Sequence, residues 1–140
     1  MEYQKKSYKL LIIYAILFVF LIIAGGYGLN LFLPNLDKSI FIKIELMLID
    51  IWLLTLFYIM YKKESIYWIN GITYNEAKNM TSEHRKKYAL DHLIVFLKAT
   101  IISFVYCIIS YILDFSSLID IVVLALIIII AAIKTIPIKA

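Results

Sequence analysis

The sequence predicts an all-α, polytopic membrane protein: four transmembrane helices arranged as two helical hairpins, with an interfacial or cytoplasmic helical segment between helices 2 and 3. Three observations carry that expectation. Hydrophobic residues make up 64% of the 140-residue chain, against roughly 45–50% in soluble globular domains. One domain of this length has too little interior to bury the excess. The apolar residues fall in four continuous runs, each near the ~20 residues that cross a hydrocarbon core as a helix, without the alternation of barrel strands. Lysine and arginine gather in alternate connections, as retention on the cytoplasmic side demands.

The first run covers about 10–33 and follows Lys5, Lys6 and Lys9. It is too long for the apolar region of a signal peptide, and no small-residue cleavage site follows it. It is therefore read as a retained span that ends at Pro34. A short link, Asn35-Leu36-Asp37-Lys38-Ser39, leads to the second run, about 40–61, which stops at Lys62 and Lys63. A polar segment fills about 62–92 and carries Lys78, Arg85, Lys86 and Lys87. The third run covers about 93–113, a tight turn follows at 114–117, and the fourth covers about 118–136, before Lys139. The first link holds only Lys38 and the third connection has no basic residue. Residues 1–140 thus read as a single membrane domain in the cell membrane, multi-pass, with the N- and C-termini cytoplasmic.

The middle segment has structure of its own. Ile66-Tyr67-Trp68-Ile69 is aromatic and apolar and belongs at the headgroup level. Asn70-Gly71 marks a turn. Thr73-Tyr74-Asn75-Glu76 has the spacing of a capping box. Thr81 or Ser82 can cap a further helix that runs on into the third span. Trp68-Ile69-Asn70-Gly71, Met80-Thr81-Ser82-Glu83 and Lys87-Tyr88-Ala89-Leu90-Asp91-His92 together resemble domain-of-unknown-function family 3784 of small bacterial membrane proteins. The likeness covers the middle segment. There the family's glycine-tyrosine-asparagine-threonine run is replaced by Gly71-Ile72-Thr73-Tyr74-Asn75. The resemblance implies a small membrane protein with a cytoplasmic loop and no assigned chemistry.

Charges inside the apolar runs are the candidate functional residues. A carboxylate at mid-span costs about 2.5–3.5 kcal/mol to insert, so Asp50 is expected to be paired, protonated or wet. Lys98 stands within side-chain reach on the third run, and an Asp50–Lys98 intramembrane pair is the expectation. An outer polar cluster of Lys43, Glu45 and Asp120 is the second candidate, with Asp114 nearby. Lys43 pairs with Asp120 if their helices are neighbours; otherwise these charges snorkel to the headgroups. Lys43 and Asp50, seven residues apart, share one face of helix 2. Ala24, Gly25 and Gly28 form a small-residue face for helix packing. Trp68, Gly71, Arg85, Lys86 and Lys87 form the surface of the cytoplasmic loop, anchored to the lipid headgroups.

These features point away from catalysis. No nucleophile–base motif, phosphate loop or zinc-protease motif is present. His84 and His92 are two helical turns apart, too far for one ion, so no metal or cofactor is expected. Cys107, the only cysteine, reads as a buried thiol. The +4 net charge is explained by topology and not by nucleic acid. The function expected is therefore partner binding in the lipid bilayer, as an accessory subunit or an immunity-type, self-protection protein. The partner is another membrane protein or a second copy in a homo-oligomer. The alternative is a small oligomeric ion- or proton-coupled transporter using Asp50. A short four-span chain resembles the small multidrug transporters, but those carry their essential carboxylate in the first span, which here has none.

Overall fold

The computed structural model describes residues 3–32, 34–35, 37–69 and 71–138, and the side chains of all but Gly26, Leu29, Asn30 and Phe32 among them. Leu33, Leu36, Asn70 and Lys139, read above as a span end, a link residue, a turn residue and a C-terminal charge, lie outside the described residues. Five helices follow in order: α1 (Lys9–Phe32), α2 (Lys38–Lys63), α3 (Tyr74–Asn79), α4 (Ser82–Ile112) and α5 (Ser117–Thr135), with one 3₁₀ turn (Ile66–Trp68) between α2 and α3. Local chemistry sets their ends. The Asp37 carboxylate accepts from the Ser39 amide at 2.6 Å and starts α2. Thr73 and Glu76 form the full capping box of α3, at 3.2 and 2.6 Å. Thr81 Oγ1 accepts from the His84 amide at 3.2 Å and starts α4. Asp114, at φ 53°, ends α4, and the Phe115 amide bonds back to the Ser110 carbonyl at 3.0 Å.

The all-α class holds, but the expected four transmembrane helices do not. Among the described residues, two helices are long and apolar enough to cross a membrane, α4 and α5. Lys43, Glu45 and Asp50 break the apolar run of α2, between Lys38 at its start and Lys62 and Lys63 at its end. In α1, the described residues give a shorter apolar helix, Lys9–Gly25. The apolar stretches of α4 and α5 are only 22% and 17% buried. A helix in the core of a soluble protein would be mostly covered, so these two present their apolar surface outward.

One face of α4 organises the packing. Its buried residues are Arg85, Tyr88, Ala89, His92, Phe96, Ala99, Ser103, Cys107 and Ser110, which apart from the adjacent Tyr88 and Ala89 are spaced by threes and fours. That spacing makes a continuous seam along one side of a helix. α2 lies along this seam, and α5 packs beside it. Phe57 of α2 stacks on Phe96 with ring centroids 4.1 Å apart, and Ala99 and Ala131 fill the neighbouring space between α4 and α5. Small side chains let these helices approach closely. α1 docks on α2 through Tyr14, which stacks on Trp52 at 4.5 Å and donates its hydroxyl to the Trp52 carbonyl at 2.5 Å.

Candidate functional site

A buried polar seam joins α2, α4 and α5. Lys43 and Asp120 make an ion pair of 2.8 Å, with 8% and 0% of their side chains exposed. Lys43 also donates to Ser39 Oγ at 2.7 Å and to the Phe115 carbonyl at 3.3 Å. Asp120 Oδ1 accepts from the Tyr106 hydroxyl at 3.0 Å and from the Ser110 hydroxyl. Both charges are thus satisfied away from solvent, the condition under which a buried pair is tolerated. Asp120 stands four residues past the Ser116 cap, about 6 Å into α5. Ser39, Tyr106 and Ser110 are not among the residues predicted above. A signal for this face exists in Ser103, Cys107 and Ser110, polar or small residues at helical spacing in an apolar run.

Asp50 is buried farther along α2 and faces Ser103 of α4. Neither Asp50 Oδ2 nor Ser103 Oγ has a hydrogen-bond partner among the described residues. The expected Asp50–Lys98 pair is not formed. Lys98 comes five residues before Ser103, which places it about 140° around α4. It is exposed and lines a groove between α4 and α5 instead. Glu45 is two residues from Lys43, hence on the opposite side of α2, and takes no part in the Lys43–Asp120 pair. Asp114 serves the α4–α5 turn.

The small-residue face of α1 is open. A methyl group added at Gly25 or Gly28 would meet nothing within 4 Å, and Ala24 is exposed. No helix of this chain therefore uses that face for close packing among the described residues.

The middle segment forms a second polar site, one that the sequence hides. Residues 3–7 run across it as a strap. The Tyr3 hydroxyl donates to the Glu64 carbonyl at 2.9 Å, and Gln4 Nε2 donates to the Lys63 carbonyl and Ser65 Oγ at 2.8 and 2.7 Å. The Tyr67 hydroxyl accepts from the Ser7 amide at 3.1 Å and donates to the Ser7 carbonyl at 2.9 Å. Trp68 Nε1 adds a bond to the same carbonyl at 3.2 Å, and the Tyr74 hydroxyl donates to the Gln4 carbonyl at 2.9 Å.

Arg85 is the hub of this site, not the exposed surface charge expected. It is 7% exposed. Its Nε donates to Glu64 at 2.8 Å, its Nη1 donates to the Ala77 and Met80 carbonyls, and its guanidinium lies 4.2 Å from the Tyr3 ring centroid. Burial pushes the Glu64 carboxyl up, but the Ser82 hydroxyl and the Arg85 and Lys86 charges outweigh it and hold it below the usual carboxylate range. Burial raises the Tyr3 hydroxyl to about 12 despite the Arg85 charge. Lys86 sits 3.7 Å from Glu64, Lys87 is exposed, and Gly71 holds φ 102° in the turn before α3.

Among the described residues, no three His, Cys, Asp or Glu side chains converge where a metal ion would sit. His92 is buried against Phe57 and Tyr88, with Nδ1 on the Tyr88 carbonyl at 3.0 Å, while His84 is exposed. Cys107 is buried beside the polar seam. No family model, curated protein or solved structure matches the chain.

Proposed function

We propose that this is a membrane protein that acts by binding a partner within the bilayer, without chemistry of its own. The accessory-subunit and immunity-type roles both fit that reading. The observation that carries it is the open face at Ala24, Gly25 and Gly28, a close-packing surface left unused among the described residues. The ionic groups of the Lys43–Asp120 seam are satisfied internally, which suits a scaffold better than a reaction centre. The test is purification in mild detergent with identification of what co-purifies. A stoichiometric membrane partner that is lost on Gly25→Leu supports the reading; a homodimer, or a monomer indifferent to that change, contradicts it.

Membrane residence rests on the outward apolar surfaces of α4 and α5. The start of α4 carries Lys86 and Lys87 and the end of α5 carries Lys134, while the connection between the two helices has no basic residue. This favours a cytoplasmic location for both those ends. The strap bonds tie the N-terminal residues to the same side. The likeness of the middle segment to family 3784 is consistent with this placement.

A second reading, an ion- or proton-coupled transporter, is favoured by one observation: Asp50 is buried with Oδ2 unpartnered. Uptake by vesicles that is lost in Asp50→Asn supports it, and uptake unchanged in that variant removes it.

A further inference from the structure

Lys98 and Lys134 line one groove between α4 and α5. The groove encloses about 310 Å³; Ala99 and Ala131 lie on its wall, with Val95 and Ile102 beside them. Both lysines are exposed, and neither makes an ion pair or hydrogen bond among the described residues. No carboxylate lines the groove. The nearest acid on this face of α4, Asp91, comes seven residues before Lys98, about 10 Å along the helix.

The two lysines also share a depth. The turn between α4 and α5 is centred near Phe115. Lys98 lies seventeen residues from it and Lys134 nineteen, about 26 and 28 Å along their helices. A hydrocarbon core of about 30 Å puts both ammonium groups at the headgroup boundary opposite the turn. Below them the groove is apolar.

We propose that this groove binds an anionic phospholipid, with its phosphate between Lys98 and Lys134 and an acyl chain along Ile102, Ile127 and Ile130. The inference rests on the membrane residence proposed above. Charge complementarity selects the occupant: two unpaired cations at phosphate depth, over an apolar trough, fit an anionic headgroup with a chain attached. A free phosphate has no use for the trough, and a zwitterionic headgroup brings no net charge to the lysines.

The test compares full-length wild type with Lys98→Gln/Lys134→Gln in a neutral detergent, titrated with phosphatidylglycerol or phosphatidylcholine of the same chains. Thermal unfolding and retained lipid in native mass spectrometry are the readouts. Phosphatidylglycerol is expected to raise the wild-type Tm and remain bound, whereas phosphatidylcholine does neither. The double variant loses about 25-fold in apparent affinity, at roughly fivefold from each lysine. Lys98→Arg/Lys134→Arg keeps the binding, and Lys134→Gln, altered only in the exposed last turn of α5, shows part of the loss if the double variant fails to fold. Equal shifts with both lipids, an unchanged phosphatidylglycerol shift in Lys134→Gln and the double variant, or the same shift with soluble glycerol phosphate overturns the proposal. Alkaline carbonate extraction of membranes from the same cells separates the two readings. Wild type that stays in the membrane but shows no anionic preference refutes the lipid site alone; wild type released into the wash refutes membrane residence and the lipid site with it.

Discussion

Lys43 and Asp120 neutralise each other where water does not reach, and three further side chains complete their hydrogen bonding. Removing one partner leaves a buried charge, so Asp120→Asn or Lys43→Met is expected to cost about 3 kcal/mol. Replacing both, as Lys43→Met with Asp120→Leu, is expected to recover most of that loss. Chemical unfolding of the three variants in detergent micelles checks this. Glu64 gives a pH dependence of a defined sign. Its folded carboxyl titrates below the ordinary value of about 4.3, so its contribution is fully present above that pH. The contribution is lost as pH falls through the folded value. Trp68 fluorescence, which senses the strap at Ser7, is expected to change in that acid range, and Glu64→Gln is expected to abolish the change.

At the scale of the element, the seam on α4 predicts which substitutions matter. Ser103 is 1% exposed and faces α2, so Ser103→Leu overpacks the contact and is expected to cost about 1–3 kcal/mol. Ile102, 56% exposed one residue earlier, is expected to accept leucine with no measurable change in Tm. The helices themselves were legible because their apolar runs are continuous and their caps local. Thr73-Tyr74-Asn75-Glu76 and Thr81 act through bonds three residues long, which a sequence displays directly. The neighbour of Asp50 was not legible. Asp50 and Lys98 have opposite charge and plausible depth, but only the rotation of α4 against α2 shows that Ser103 takes the position facing Asp50. The strap of Tyr3, Gln4 and Ser7 was hidden for the same reason, since its partners are about sixty residues away in the chain.

For the whole molecule, hydropathy alone overstated the membrane path. It treated the α2 run as a span despite Lys43, Glu45 and Asp50, and these charges do not all face inward. Lys43 and Asp50 are buried against α4 and α5, while Glu45 is half-buried on the other side. What remains is a helical protein in which, among the described residues, two helices are long and apolar enough to cross a membrane, α4 and α5, and these turn their apolar surfaces outward around a polar seam. Among the described residues, the small-residue face of its first helix is left open. The most direct measurement is single-cysteine accessibility in intact cells, in a Cys107→Ser background that removes the only native thiol. Cysteines at Lys87, Ser116 and Thr135 bracket the two apolar helices. A membrane-impermeant maleimide is expected to label position 116 in intact cells, and positions 87 and 135 only after the membrane is opened. Labelling of positions 87 and 135 together with 116 in intact cells, or recovery of the protein in the soluble fraction, would contradict a chain that crosses the membrane through α4 and α5.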